Sequence, residues 1–303
     1  MTAIRWAWLV APEPAARLRV TSSDGTGLNV EVHGPQDAPA PTVVLIHGWT
    51  CSIPLWSRVI YALRGDLRIA AYDQRGHGAS EKGGRYSVDV LADDLAAVLD
   101  ATLRPGEKAV LAGHSMGGMA IMAAAPREAV LSRVSGALLA STGYADLVPA
   151  ARVAPRGRQF PRLAALAHRQ LLTSAAPMGP VTRLSAAALK YATLGPDAPD
   201  GLAAVNAAII QSCDRRVRAA WGRVLATLDV GERARHLDVP AHVIVGTADR
   251  LTPPPQARRI AERLPQCTGL TELPGAGHMT PLERPEAVAD AVRKLTAEGA
   301  QVS

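Results

Sequence analysis

Three side chains far apart in this 303-residue chain, Ser115, Asp249 and His278, are of the types that together make a nucleophile. A serine hydroxyl attacks a carbonyl only when a base takes its proton, and the base works best when an acid orients it. Ser115 lies in Gly113-His114-Ser115-Met116-Gly117, a G-x-S-x-G match. With 26 glycines and 14 serines in the chain, such a match arises by chance in about one sequence in ten, so its surroundings must decide. KAVLAG before it reads as a strand and MGGMAIMAAA after it as a helix. A strand that turns straight into a helix holds the serine in a strained bend with its hydroxyl above the sheet. Gly113 and Gly117 leave room for that bend, and the helix N-terminus favours negative charge beside it.

The base is expected at His278, in the glycine-rich stretch LPGAGHMTPLERPEAV between the last strand and the last helix. Of the other histidines, His114 adjoins Ser115 and is expected to point away from it. His47 belongs to the loop after the first long buried strand. His33, His77, His168, His236 and His242 read as surface or structural residues. Asp249, in HVIVGTADRLTPP, falls at the C-terminal edge of a strand, where open α/β sheets put their sites; Asp146, after the preceding strand, is the alternative acid. The charge developing on a carbonyl oxygen needs two N–H donors. Met116 offers one at the helix N-terminus. Trp49 offers the other, with Gly48 permitting close approach and the indole free to pack. The order Ser115, Asp249, His278 suits a strand–turn–helix nucleophile.

Positioning these residues takes alternating strands and helices. Apolar runs at 42–48, 67–72, 109–112, 136–140, 241–245 and, more weakly, 268–273 predict strands, mostly buried on both faces. Residues 17–20 and 28–32 flank Ser23-Asp24-Gly25 and predict an N-terminal hairpin. Amphipathic patterns at 55–63, 88–103, 116–125, 256–264 and 285–297 predict helices. The expectation is an α/β fold with a mostly parallel sheet flanked by helices. Residues 142–228 carry no convincing strand and read as a helical insertion between a core of 1–141 and 229–303.

Composition narrows the function. Hydrophobic residues are 48% of the chain and charged residues 20%, ample for a buried core and contrary to disorder. No run approaches the ~18 to 20 apolar residues of a membrane span. The N-terminal MTAIRWAWLVAPEP has an apolar run shorter than the ~7 to 15 residues of a secretory h-region. Cys51, Cys213 and Cys267 suit neither a disulfide framework nor a zinc site, so a cytoplasmic protein is expected. No metal, dinucleotide or phosphate-loop motif occurs, so no cofactor is expected. Nothing resembles a nucleic-acid-reading module. Residues 142–228 hold eleven basic against four acidic residues, and the rest of the chain 22 against 23, so the net excess of +6 resides in the insertion. Arg152, Arg156, Arg158, Arg215, Arg216 and Arg218 there would form a positive rim for an anionic substrate, carrier protein or lipid surface, or simply a solvated face.

Together the His47-Gly48 loop, AYDQRGHGAS, GHSMGG, the Asp249 loop and GHMTPLERP resemble the α/β-hydrolase superfamily, in its serine-nucleophile, esterase- and lipase-like branch. The resemblance implies that Asp73, Arg75 and His77 are scaffold beside the site, and that residues 142–228 are a cap over the cleft. Relatives with an aspartate nucleophile, the epoxide hydrolases and haloalkane dehalogenases, are disfavoured because position 115 is Ser. The leading expectation is hydrolysis of a small or medium hydrophobic ester or lactone through Ser115. Thioesterase, C–C bond hydrolase, perhydrolase and natural-product tailoring activities use the same triad and stay open. A non-catalytic receptor of the same fold is the alternative from another class.

Overall fold

The turn signal Ser23-Asp24-Gly25 folds as expected: β1 (Ala16–Thr21) and β2 (Gly27–His33) pair antiparallel around it, with Val20 opposite Leu28. The computed structural model describes residues 12–154, 159–179 and 182–299. The apolar N-terminal run, Arg156 and Arg158 lie outside the described residues.

The apolar run TVVLI forms β3 (Thr42–Ile46), with all five residues buried. Because successive strand residues face opposite ways, Val44 and Ile46 join one core and Val43 and Leu45 another. After β3 come a short 3₁₀ turn, α1 (Ser57–Leu63) and β4 (Ile69–Tyr72). Then follow α2 (Val88–Thr102), β5 (Ala109–His114), α3 (Met116–Ala124), α4 (Glu128–Leu131) and β6 (Val134–Ala140). Ser87 caps α2 by accepting the N–H of Val90. α3 is apolar all round and buries all nine of its residues, as an interior helix must.

Between β6 and β7 the described residues form helices and no strand: α5 (Leu147–Ala150), α6 (Pro161–Thr173), α7 (Arg183–Thr193), α8 (Asp200–Ser212), α9 (Arg215–Leu225) and α10 (Gly231–Ala234). Asp214 caps α9 by accepting the N–H groups of Arg216 and Val217. α6 fully buries no residue, and Leu163, Leu166 and Leu171 are exposed along it. The chain ends in β7 (Ala241–Gly246), α11 (Pro254–Ala261), β8 (Cys267–Leu273), α12 (Thr280–Glu283) and α13 (Pro285–Gly299).

The eight strands form one sheet in the order β1-β2-β4-β3-β5-β6-β7-β8, parallel from β4 to β8. α2, α3 and α11 pack on one face and α1 and α13 on the other. β3 has β4 on one side and β5 on the other. The chain therefore leaves β3 in one direction and returns in the opposite one, which opens a crevice beyond the carboxyl ends of β3 and β5. Among the described residues no helix is long and apolar enough to cross a membrane.

Candidate active site

Ser115 stands at that crevice, between the end of β5 and the start of α3, with φ 51° and ψ −116°. A non-glycine residue in this conformation stores ~1 to 3 kcal/mol of strain, so its neighbours must hold it. Its N–H donates to the Ala140 carbonyl at 3.0 Å. Its carbonyl accepts from Gly118 N–H (2.9 Å) and the Thr142 hydroxyl (2.7 Å). The flanking glycines are required by contact: a Cβ on Gly113 would sit 2.5 Å from the Gly117 backbone, and one on Gly117 2.1 Å from the Ile46 carbonyl oxygen.

His278 and Asp249 meet. The Nδ1 of His278 lies 2.9 Å from Asp249 Oδ2, with the carboxylate fully buried. Asp249 Oδ1 accepts the N–H groups of Leu251 (2.8 Å) and Thr252 (2.9 Å), so the carboxylate cannot rotate freely. Thr252 Oγ1 adds a bond to Oδ2 at 3.0 Å and lies 3.2 Å from His278 Nδ1. Sequence reasoning missed Thr252; an Asp with hydroxyl-bearing residues just downstream is a turn former, and that was the available signal. The His278 loop is tied down from elsewhere in the chain. Its N–H donates to the Thr193 carbonyl at 2.8 Å. Buried Glu283 accepts from Gly277 N–H (3.0 Å) and Gly195 N–H (2.7 Å).

Ser115 and His278 line one cavity of about 380 Å³, bounded by the strand-end loops on one side and by α6 and α9 among other segments on the other. Its walls are mostly apolar, including Met119, Leu172, Leu225 and Met279. Trp49 lines it too, and a Cβ on Gly48 would come within 3.0 Å of Ser115 Cβ. The backbone N–H groups of Trp49 and Met116 have no protein acceptor among the described residues. Cys51 is a second wall residue with a potential nucleophile, but burial pushes its thiol up to about 12. Among the described residues no His, Cys, Asp or Glu cluster is arranged to hold a metal ion.

One expectation about a neighbour needs correction. His114 does not turn away from the cavity: it lines it, with its Nε2 2.9 Å from the His278 carbonyl oxygen and its ring centroid 4.9 Å from that of His278. As the last residue of β5, it is buried at the carboxyl end of the sheet, beside the loop that carries His278. His168 also lines the cavity, accepting the Ala154 N–H at 3.1 Å. Asp146 is exposed at the start of α5, apart from His278. His33 is buried, His236 exposed, and His242 bonds Thr271 at 2.9 Å. Of the arginines expected to form a rim, Arg152, Arg215 and Arg216 are exposed, whereas Arg218 is buried in the cavity wall.

Asp73, Arg75 and His77 brace the loops behind the cavity. Asp73 accepts the N–H groups of Ile53 (2.9 Å) and Ala79 (3.0 Å). His77 Nε2 accepts the Thr50 N–H at 3.1 Å, and His47 Nε2 accepts the Gln74 N–H at 2.9 Å. Burial lowers His47 from its ordinary 6.5 to about 4 and His77 to about 3, so both stay neutral in the fold. Unfolded, each binds a proton below pH 6.5 that the folded protein refuses. Stability is therefore full above pH 6.5 and falls as pH drops towards 4, by roughly 1 kcal/mol per unit for each histidine. Urea unfolding measured from pH 7 to 4 should show that decline, and His77→Gln should flatten it. A flat wild-type profile would contradict the neutral assignment.

Residues 43–291 match the profile of the Alpha/beta hydrolase family. The chain is 26% identical to 3-oxoadipate enol-lactonase 1 of Acinetobacter baylyi over 271 residues, covering 89% of this chain and 92% of that protein. Among solved structures it is similar to a thermophilic esterase from Thermogutta terrifontis, with TM-score 0.73, 25% identity, and 94% and 100% of the two chains covered. It is also similar to the esterase RhEst1 from Rhodococcus sp. ECU1013, with TM-score 0.71, 26% identity, and 93% and 98% covered. A profile match over most of its length, on a sheet of this topology, places the chain in the alpha/beta hydrolase family.

Proposed function

We propose that this protein is a serine hydrolase that cleaves a carboxylic ester or lactone of a small-to-medium hydrophobic substrate through an acyl-enzyme on Ser115. The observation that carries the reading is the convergence at one apolar cavity of a strained serine and a histidine whose far nitrogen is held by a buried aspartate. The esterase and lactonase relatives support the bond type. In the proposed cycle Ser115 Oγ attacks the carbonyl carbon while His278 takes its proton, and Asp249 stabilises the imidazolium. The unpartnered N–H groups of Trp49 and Met116 receive the oxyanion. His278 returns the proton to the leaving alcohol. It then draws one from water, whose oxygen attacks the acyl carbon, and Ser115 leaves with its hydrogen restored. Residues 142–228 serve as the cap and 1–141 with 229–303 as the core. The three free cysteines suit a reducing, cytoplasmic setting.

Intact-protein mass after fluorophosphonate treatment tests the nucleophile. One adduct per chain is expected on the native protein and none on Ser115→Ala or His278→Ala. A folded native protein that takes up no adduct would overturn the reading and favour a binding role.

A further inference from the structure

Arg218, on α9, is only 6% exposed and lies in the wall of the same cavity as Ser115. Among the described wall residues it is the one Lys, Arg, Asp or Glu. Its carbonyl accepts the indole N–H of Trp49 at 3.0 Å. The turn that bears the guanidinium is thereby fastened to the loop that reaches Ser115. One amino nitrogen, Nη2, donates to the carbonyls of Ser174 (3.3 Å) and Ala176. Nε and Nη1 have no protein acceptor among the described residues.

The missing feature is a counter-charge. Asp214, one helical turn earlier, is occupied by Lys82 at 2.7 Å and by the N–H groups of its own helix. No other described carboxylate pairs with Arg218, and the residues outside the described set contain no Asp or Glu. Of the other buried arginines among the described residues, Arg75 is closed by Asp24 and Asp94 at 2.7 Å each, whereas Arg68, which does not line the cavity, bonds the Thr42 hydroxyl at 3.0 Å and the Thr102 carbonyl at 2.8 Å. A guanidinium withdrawn from water is costly unless it is paired, and hydrogen bonds from it to a carboxylate are charge-assisted. At Arg218 the chain supplies two carbonyl dipoles, and among the described residues no acceptor for the remaining donors.

We propose that Arg218 is an anion subsite of this cavity and that the natural substrate is an ester or lactone carrying a free carboxylate, which accepts a charge-assisted hydrogen bond from one of the nitrogens that Ser174 and Ala176 leave unshared. The proposal rests on the hydrolase reading above and adds the substrate's charge to it. Because the pair would form away from bulk water, it is screened less than the exposed Arg152, Arg215 and Arg216 would be.

Two matched pairs of esters test it: mono-4-nitrophenyl glutarate against 4-nitrophenyl pentanoate, and 3-acetoxybenzoate against phenyl acetate. The native enzyme is expected to favour the anionic member of at least one pair by tenfold or more in kcat/KM, and to keep that preference in 0.5 M NaCl. In Arg218→Met the anionic-to-neutral ratio should fall at least tenfold, and Arg218→Lys should recover part of it. No preference in either pair, an unchanged ratio in Arg218→Met, or a preference that salt abolishes would overturn the subsite. The hydrolase reading stands or falls separately, on turnover of the neutral esters and on the Ser115 adduct. Should those fail, calorimetric titration with glutarate decides for Arg218 alone: binding lost in Arg218→Met upholds an anion site, and no binding or equal binding removes it.

Discussion

Replacing Asp249 by Asn is expected to lower kcat for ester hydrolysis by about 10⁴-fold at neutral pH while leaving the fold intact. The reason lies in how the carboxylate is held. Its Oδ1 accepts two backbone N–H groups, from Leu251 and Thr252. An asparagine would keep its carbonyl oxygen there and turn its NH₂ towards His278. Two donors cannot share one hydrogen bond, so the imidazole would give up the Nδ1 proton and carry it on Nε2. The nitrogen facing the serine would then be a donor, unable to take the hydroxyl proton. Fluorophosphonate labelling should slow in parallel with kcat, whereas circular dichroism should not change. A loss under tenfold would remove Asp249 from the proposed role.

The second large effect concerns stability. Arg75 is fully buried and makes paired bonds to Asp94, at 2.8 Å from Nε and 2.7 Å from Nη2, with a further 2.7 Å contact to Asp24. The guanidinium in turn holds the Asp24 carboxyl well below the usual carboxylate range. Arg75→Leu would strand Asp94, itself 2% exposed, without a counter-charge. The expected cost is ~3 to 5 kcal/mol, a large part of the ~5 to 15 kcal/mol that stabilises a typical fold. Adding Asp94→Leu should recover some of that loss, because the stranded charge is gone. Urea unfolding followed by tryptophan fluorescence would measure both. A single-variant loss below ~1 kcal/mol would mean that the network is relieved by water.

Much of this arrangement was legible because strands and tight bends leave strong local marks. Thr42 followed by four apolar residues at 43–46 admits little besides a strand buried on both faces. Gly113 and Gly117 bracket Ser115 because the backbone leaves no space for a Cβ at either place. Side chains whose role depends on partners from distant segments were not legible. His114 gives no sequence sign of which way its ring turns at the strand end. Glu283 gives no sequence sign of its partners, yet it ties the His278 loop to Gly195. Arg218 was grouped with five other arginines by type alone. Helical phase was the overlooked signal: Arg218, Trp221, Gly222 and Leu225 share the buried side of α9, whereas Arg215, Arg216 and Arg223 face out.

Two of the helices that line the cavity are held very differently. α3 buries every one of its residues, and α6 fully buries none. Segments with little buried contact open at a small fraction of the free energy that unfolds the whole protein, whereas interior helices open only with it. The wall built by α6 and the floor that strains Ser115 are thus expected to open independently. On the proposed function, substrate exchange through fluctuations of α6 would leave the bend at Ser115 undisturbed, and the rate of such traffic would be set by an equilibrium distinct from the one that governs survival of the fold.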